Sequence, residues 1–462
     1  MSSAPLPARS RGSQDVSGKK KYTFPPGLDR NLIWYAWRRF RPQNPILLFQ
    51  HLAEKYGRIA HYRVGPARFV FVNDPRYIQE VLVVQAEKFT KERTQRRSKM
   101  LLGEGMITAE GAAHRKQRQI ALPAFHRERM AAYSEIMVAR GQALCEEWRE
   151  GETIDVAQEM MRLTLDIISR ALFGVELGAD VLRVRDAINR IMGQYHYLVA
   201  LPAAEWLVHL PVSGLGRFKR ARARVDEAVY RMIDARVQAP HGEHGDLLSL
   251  MLGADPPFSR ESLRDQVVTI FLAGYETVAN ALTWTWYLLA QNQDAEEKLH
   301  QELARVLGSR APRLEDVPQL RYTEMVFSEA MRLYPPAWAM GRQATQDFVL
   351  GEFYLPRGTT VLMSQFILHR DAEYFPEPLA FRPERFAQEK RSAQSKAAYF
   401  PFGFGARRCI GESFAWMEGV LLLATMAQRW KLRLAPGHPV EPDPLITLRP
   451  KYGMRMMLES RL

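Results

Sequence analysis

Residues 400–411 read Phe-Pro-Phe-Gly-Phe-Gly-Ala-Arg-Arg-Cys-Ile-Gly, a short loop in which three glycines surround one cysteine, Cys409. A run with helical spacing over 412–428 follows at once, so Cys409 should lie near the N-terminal N–H groups of a helix. Those groups, together with Arg407 and Arg408, favour a thiolate. A thiolate placed in this way can serve as a nucleophile or as a metal ligand. A small buried cysteine in a turn is the plainer alternative.

The spacing of this loop is more specific than its parts. The pattern Phe402-x-x-Gly405-x-Arg407-x-Cys409-x-Gly411 resembles the haem-ligand loop of the cytochrome P450 family at every one of these positions. With further motifs in the expected order, the resemblance covers about residues 45–455. It implies a haem b with Cys409 as its proximal thiolate ligand. It also implies a mostly α-helical α+β fold with a long central helix over the haem.

A second family-like feature is a pair of charged residues near a helix end. Glu329 and Arg332 lie three residues apart, on one face of a predicted helix, where they can pair. Taken alone, this is a surface ion pair. The segment 381–386 resembles the part of the family that supplies a further arginine, Arg385. We expect Glu329, Arg332 and Arg385 to form a buried, structural charge network behind the cysteine loop.

The segment 261–291 predicts a helix long enough, at about 45 Å, to cross the whole molecule. Its middle is similar to the oxygen-activating stretch of the family. Thr277 can donate to the carbonyl of Ala273, and Gly274 leaves room for dioxygen. We expect Thr277 and Glu276 to be catalytic and to pass protons to the bound oxygen. A threonine bonded to a carbonyl of its own helix is the plainer interpretation of Thr277 alone.

Haem propionates need cations, and the resemblance implies four. His114 and Arg118 lie one helical turn apart, and Arg342 and Arg407 match two further propionate contacts of the family. A solvated surface charge is the alternative for each. Two departures from the family pattern are small: many members have Trp at the position of His114, and many bacterial members have Asp at that of Glu276.

Composition places the chain among globular proteins. It has 462 residues, of which 47% are hydrophobic and 25% charged, which excludes a disordered chain or a disulfide scaffold. The net charge of +13 is spread along the sequence, so charge alone does not indicate a nucleic-acid partner. Cys145 matches no functional position and is expected in the core. We expect a flexible basic tail over 1–24 and a single domain over 25–462.

Apolar periodicity predicts helices over 127–150, 157–173, 213–237, 261–291 and 320–333. The residue pattern predicts β-strands at about 55–75 and 343–364, and the first region contains a hairpin around Gly65-Pro66. The apolar stretch 271–290 has the length of a membrane span, but Glu276 lies inside it and favours a buried helix. We therefore expect a soluble, cytoplasmic protein, and we expect it to be a monomer.

The resemblance implies a monooxygenase that inserts one oxygen atom from dioxygen into a lipophilic substrate, by hydroxylation or epoxidation. We expect electrons from NAD(P)H through a separate ferredoxin or flavodoxin-like partner, docked near Arg115 and Lys116. The family's variable segments fall at about 93–107, 190–210, 269–277 and 336–341, and they suggest a fatty acid, terpenoid or steroid. The predicted pocket residues are Met106, Ile107, Phe271, Ala273, Ala337, Trp338 and Met340.

Two alternatives remain at this point. A peroxide-driven or isomerising haem-thiolate enzyme would keep the haem and change the chemistry, but it would not need the Glu276–Thr277 pair. A haem sensor or carrier without turnover would not need an oxygen-activating groove. Product formation with a donor system, compared with peroxide alone, separates all three.

Overall fold

The computed structural model describes residues 22–31, 44–176, 213–238, 246–387 and 393–461. All five predicted helices are confirmed, with ends that differ from the prediction by at most three residues. The α-helices are Pro45–Tyr56, Pro75–Gln79, Arg93–Arg97, Lys99–Leu102, Gly111–Ala121, Arg127–Glu147, Val156–Phe173, Ser213–Gln238, Leu247–Leu252, Arg260–Gln291, Gln293–Leu307, Arg321–Leu333, Gln365–Leu368, Ala393–Ala398 and Glu412–Ala427.

Arg260–Gln291, the central helix, begins where Ser259 accepts a hydrogen bond from the N–H of Ser262 at 3.0 Å, as an N-cap. Residues around its whole circumference are buried, as expected for a helix that crosses a core. It packs against Val156–Phe173 and Arg321–Leu333, and also against Glu412–Ala427, the proximal helix. No helix in the described ranges is long and apolar enough to cross a membrane.

The strands lie early and late in the chain. They are β1 Gly27–Asn31, β2 Ile59–Val64, β3 Ala67–Val72, β4 Phe89–Lys91, β5 Thr153–Asp155, β6 Met340–Ala344, β7 Phe348–Leu350, β8 Phe353–Leu355, β9 Thr360–Met363, β10 Trp430–Leu434, β11 Pro442–Pro444, β12 Leu448–Pro450 and β13 Arg455–Ser460. The largest sheet has the order β1-β2-β3-β9-β6-β4, and a second has the order β10-β13-β5. The predicted hairpin is β2–β3, and both predicted strand regions meet in the largest sheet, where β3 and β9 run parallel.

Only the last residues of the predicted tail, 1–24, are described. There, Thr23 bridges to Phe353 and the ring of Phe24 lies 5.0 Å from that of His61. Residues 1–21 lie outside the described part of the chain. Cys145 is buried in the main core as expected, and burial raises the pKa of its thiol to about 12.

Candidate active site

The cysteine loop, residues 400–411, owes its shape to two glycines in the left-handed region. Gly403 has a φ of 72° and Gly405 a φ of 69°. A Cβ at Gly405 would also overlap the carbonyl oxygen of Leu82, so no other residue fits there. Across the loop, the N–H of Cys409 donates to the carbonyl of Phe402 at 3.0 Å. The main chain therefore fixes Cys409 just before the proximal helix.

The thiol of Cys409 is accessible to solvent, yet it lies among enough protein atoms that burial raises its pKa to about 11. Burial is the largest influence on this pKa and outweighs the N–H of Gly411 and the charges of Arg118 and Arg408, which lower it as expected. Arg407 and Arg408 each also pair with a carboxylate, Glu110 and Glu412 respectively. Such a thiol is a poor free nucleophile. A coordinating metal ion would remove its proton outright.

A group of basic side chains lies beside the cysteine loop. Arg342 and Arg407 line a cavity of about 50 Å³ together with Lys91, which the sequence analysis missed. Burial and the neighbouring arginines lower the pKa of Lys91 to about 7 and that of Arg342 to about 10. Burial, with Arg407 next in importance, lowers the pKa of His114 to about 4.

These depressed pKa values come first from burial and then from repulsion among the basic groups, which Glu110 and Glu92 offset in part. Within the described residues, Arg407 forms a salt bridge with Glu110 at 2.5 Å. Arg342 and Arg118 instead donate to the main-chain carbonyls of Gly341 and Arg408, respectively. An anionic group placed here would stabilise every one of these cations. A haem, with two carboxylates at one edge, has the chemistry that the cluster and Cys409 together require.

Thr277 lies in the middle of the central helix and donates to the carbonyl of Ala273 at 2.7 Å, as expected. The helix is unbroken there. A Cβ on Gly274 would overlap the Cδ1 of Ile168, so Ile168 lies in close contact with the central helix at this glycine. Room for dioxygen beside Gly274 stays a prediction.

Glu276 is buried, and its carboxylate accepts from the hydroxyl of Thr447 at 2.5 Å, not from Thr277. Asn280, one turn further along the central helix, donates to the same hydroxyl at 3.1 Å. Burial raises the pKa of Glu276, while Thr447 and the nearby Arg449 oppose that shift. Neighbours in sequence on a helix point about 100° apart, which separates the carboxylate from the hydroxyl of Thr277.

The structure brings Glu329, Arg332 and Arg385 together. Arg332 is fully buried and donates to both carboxylate oxygens of Glu329, at 2.7 and 2.8 Å. Its remaining N–H groups reach the carbonyls of His369, Pro378 and Ala380. Arg385 donates from Nε to Glu329 at 2.9 Å. Every donor of Arg332 is thus used.

Two of the predicted pocket residues, Phe271 and Trp338, have defined contacts with the cores of the protein. Phe271 stacks on Phe173 at 4.4 Å, and it faces about 200° away from Ala273, two residues later on the same helix. Trp338 donates to the carbonyl of Leu445 at 2.8 Å and packs in the core formed by the β-rich part. Met340 lies against the cysteine loop, next to Gly403. The predicted pocket segment 190–210 lies outside the described residues.

Met106 and Ile107 contact the main core, with Met106 almost fully buried, and Ala273 and Ala337 are half-buried. The ring of Phe402 lies 5.7 Å from that of Trp416 on the proximal helix. Gly411 precedes that helix, and its carbonyl accepts from the N–H of Ala415 at 2.9 Å. These residues surround the cysteine loop and the central helix from several sides.

The model of the family described as Cytochrome P450 matches residues 25–455. The chain belongs to the cytochrome P450 family. Cyclooctatin synthase from Streptomyces melanosporofaciens is 39% identical over 88% of this chain and 89% of its own. Cyclooctat-9-en-7-ol 5-monooxygenase from the same organism is 35% identical over 83% and 84%. Pentalenene oxygenase from Streptomyces avermitilis is 30% identical over 93% and 96%.

Membership of the cytochrome P450 family makes the chain a haem-thiolate monooxygenase. Sequence reasoning missed Lys91, Thr447 and Asn280 at the P450 site. Lys91 stands in an ordinary polar stretch, and Thr447 lies 171 residues from Glu276. Only the folded chain reveals these pairings.

Proposed function

We propose that Cys409 is the proximal ligand of the haem iron and that the basic cluster holds the propionates. The observation that carries this proposal is the exposure of Cys409 beside a group of buried basic side chains. His114, Arg118, Arg342 and Arg407 would bind the propionates, and Lys91 would join them. Bound haem supplies the activation of dioxygen, for which a thiolate ligand favours O–O cleavage.

We propose a cyclic terpenoid as the substrate class. Support comes from relatives whose names refer to cyclooctat-9-en-7-ol and to pentalenene, a cyclic alcohol and a cyclic alkene. The pocket segments retain apolar side chains, Met106, Ile107 and Met340, that suit such a skeleton. The chain would orient this substrate by shape and by the exclusion of water.

In this proposal Thr277 and Glu276 handle protons. The Thr277 hydroxyl donates its one proton to the carbonyl of Ala273, so it would turn from that carbonyl to donate toward the oxygen-binding side of the central helix. Glu276 would store a proton away from bulk solvent, since it is 4% exposed and its pKa is raised by burial. The carboxylate of Glu276 accepts a hydrogen bond from the hydroxyl of Thr447. This bond must break before Glu276 can pass a proton to Thr277.

We expect Thr277→Ala to uncouple the reaction. Loss of the hydroxyl should lower the product formed per reducing equivalent by roughly tenfold or more and raise peroxide release, because proton delivery becomes disordered. Thr283→Ala is the matched control, since Thr283 donates to Ala279 at 2.7 Å in the same helix. Peroxide and product are measured in one assay. Full coupling in Thr277→Ala would contradict the proton role.

We propose that NAD(P)H electrons arrive from a separate ferredoxin or flavodoxin-like donor. Arg115 and Lys116 are exposed on the helix whose Arg118 bonds to the cysteine loop, so they offer positive charge close to Cys409. Charge complementarity with an acidic donor mainly affects association. The single-domain organisation, the monomeric state and the cytoplasmic location remain predictions.

Charge reversal at this surface should raise the KM for the donor severalfold. We expect this of Arg115→Glu and Lys116→Glu, with substrate affinity unchanged and with the effect weakened by salt. Lys55→Glu, on the exposed face of Pro45–Tyr56, is the control. Steady-state reduction by a ferredoxin system measures the effect. Unaltered donor kinetics would place the docking surface elsewhere.

The substrate proposal is tested by optical titration of the purified ferric protein with terpenoids, fatty acids and steroids. A terpenoid should shift the Soret band towards the high-spin form, as a compound that displaces water from the iron does. A shift with a fatty acid alone would overturn the terpenoid proposal and leave the monooxygenase in place. Product formed with the donor system and not with peroxide alone would exclude the peroxide-driven alternative.

A further inference from the structure

The first residue of the cysteine loop is held by a side chain from a distant part of the sequence. The main-chain N–H of Phe400 donates to the ring Nε2 of His369 at 3.1 Å. Phe400 is 2% exposed and His369 is fully buried. This hydrogen bond satisfies an N–H that water does not reach, so its loss would be costly.

His369 is in turn fixed by the buried charge network. Its carbonyl accepts from Nη1 of Arg332 at 2.7 Å, and Arg332 is bound through two hydrogen bonds to Glu329. Its ring lies against those of Tyr399 and Phe400, with centroids 5.1 and 5.4 Å away. Neither the main chain nor the ring of His369 is therefore free to turn.

The imidazole ring of His369 is neutral, as the hydrogen bond from the N–H of Phe400 requires. Burial, together with the positive charges of Arg332 and Arg370, lowers the pKa of His369 well below its usual range. A neutral imidazole whose Nδ1 carries the proton presents Nε2 as an acceptor. An amide N–H is a suitable donor to that nitrogen.

From Phe400 the constraint continues to the cysteine through main-chain hydrogen bonds. The carbonyl of Phe400 accepts from the N–H of Gly403 at 3.0 Å, and the carbonyl of Phe402 accepts from that of Cys409 at 3.0 Å. The hydroxyl of Tyr399 adds a second anchor, to the carbonyl of Ser328 at 3.0 Å. A displacement of Phe400 would thus move Cys409.

We propose that His369 is a positioning residue for the haem ligand. It fastens the start of the cysteine loop to the Glu329–Arg332 pair, and it thereby sets the place of the Cys409 sulfur. This inference rests on the proposed role of Cys409 as proximal ligand. Through the hydrogen bonds of His369 to Arg332 and to Phe400, the buried charge network is linked to the cysteine loop.

Three variants test the proposal in the haem-loaded protein. His369→Phe keeps a ring and removes the acceptor, whereas His369→Gln keeps an acceptor near the position of Nε2. His300→Phe is the matched control, because His300 is also buried and lies on Gln293–Leu307, away from the loop. Two readouts are used: the fraction of the ferrous carbon-monoxide complex with thiolate-type absorption, and amide hydrogen exchange over 400–409.

We expect His369→Phe to lose much of the thiolate-type absorption and to exchange its loop amides about tenfold faster. His369→Gln and His300→Phe should both resemble the unaltered protein. Unchanged loop exchange and absorption in His369→Phe would overturn the proposal. If His369→Phe fails to load haem, His369→Gln decides: a normal spectrum supports the acceptor role, and an equal defect overturns it. Absence of thiolate absorption in the unaltered protein would instead overturn the role of Cys409.

Discussion

Replacement of Cys409 by alanine should abolish monooxygenase activity, while replacement of Cys145 should not. The chain has two cysteines, and each serves as the control for the other. Cys409 is exposed, whereas Cys145 is buried in the main core and its pKa is raised by burial. Cys409→Ala removes the sulfur and leaves the hydrogen bond from its N–H to Phe402 intact. The expected loss is therefore one of iron ligation and not of folding.

The measurement is the ferrous carbon-monoxide spectrum, followed by turnover with a donor system. We expect Cys409→Ala to lack thiolate-type absorption and to form product at the background rate, with near-normal far-ultraviolet circular dichroism. Cys145→Ala should keep both the absorption and the activity, with some loss of thermal stability from the cavity it leaves. Thiolate absorption that survives in Cys409→Ala would show that the ligand is assigned wrongly.

The sequence alone predicted the helices well because their signal is local. The central helix repeats apolar residues over about nine turns, and Ser259 marks its start. The β pieces were predicted less completely. Thr153–Asp155 is three residues long and pairs with Arg455–Met457, some 300 residues away, so nothing nearby marks it as a strand. Short strands depend on partners that the local pattern does not contain.

The same distinction between local and long-range signals explains which site residues the sequence could predict. The order of residues in the cysteine loop, and the spacing of Glu329 and Arg332, are local patterns that a reader of the sequence can find. The direction of a side chain on a helix is also local, so the sequence already separates Phe271 from Ala273 by about 200° around the central helix. The partner of Glu276 is not a local feature, because Thr447 reaches the central helix only through the fold.

Charge was the least reliable guide. The net charge of +13 indicated possible acidic partners but not where the charge matters. In the folded chain, Arg407 and Arg408 form salt bridges with carboxylates, while Lys91 and Arg342 are buried near other cations. The functional signal is thus local imbalance in a place that water barely reaches.

The buried charge network should be the most costly ion pair to break in the described structure outside the cysteine loop. Glu329→Gln removes one negative charge and leaves Arg332, which is fully buried, and Arg385 without a carboxylate. Breaking a buried pair in this way costs about 3–5 kcal/mol, because the remaining charge stays desolvated. The main-chain N–H of Arg382 also donates to Glu329, which adds to the loss.

Urea denaturation of the haem-loaded protein, followed by the Soret band and by circular dichroism, measures the effect. Glu441→Gln is the matched control, because Glu441 pairs with Lys451 and both side chains are largely exposed. Its effect on the free energy of unfolding should be close to zero, since solvent screens such a pair. A small change in Glu329→Gln would mean that an amide oxygen satisfies Arg332 as well as a carboxylate does. The network would then hold the main chain by geometry, through the carbonyls of His369, Pro378 and Ala380, and its charge would be dispensable.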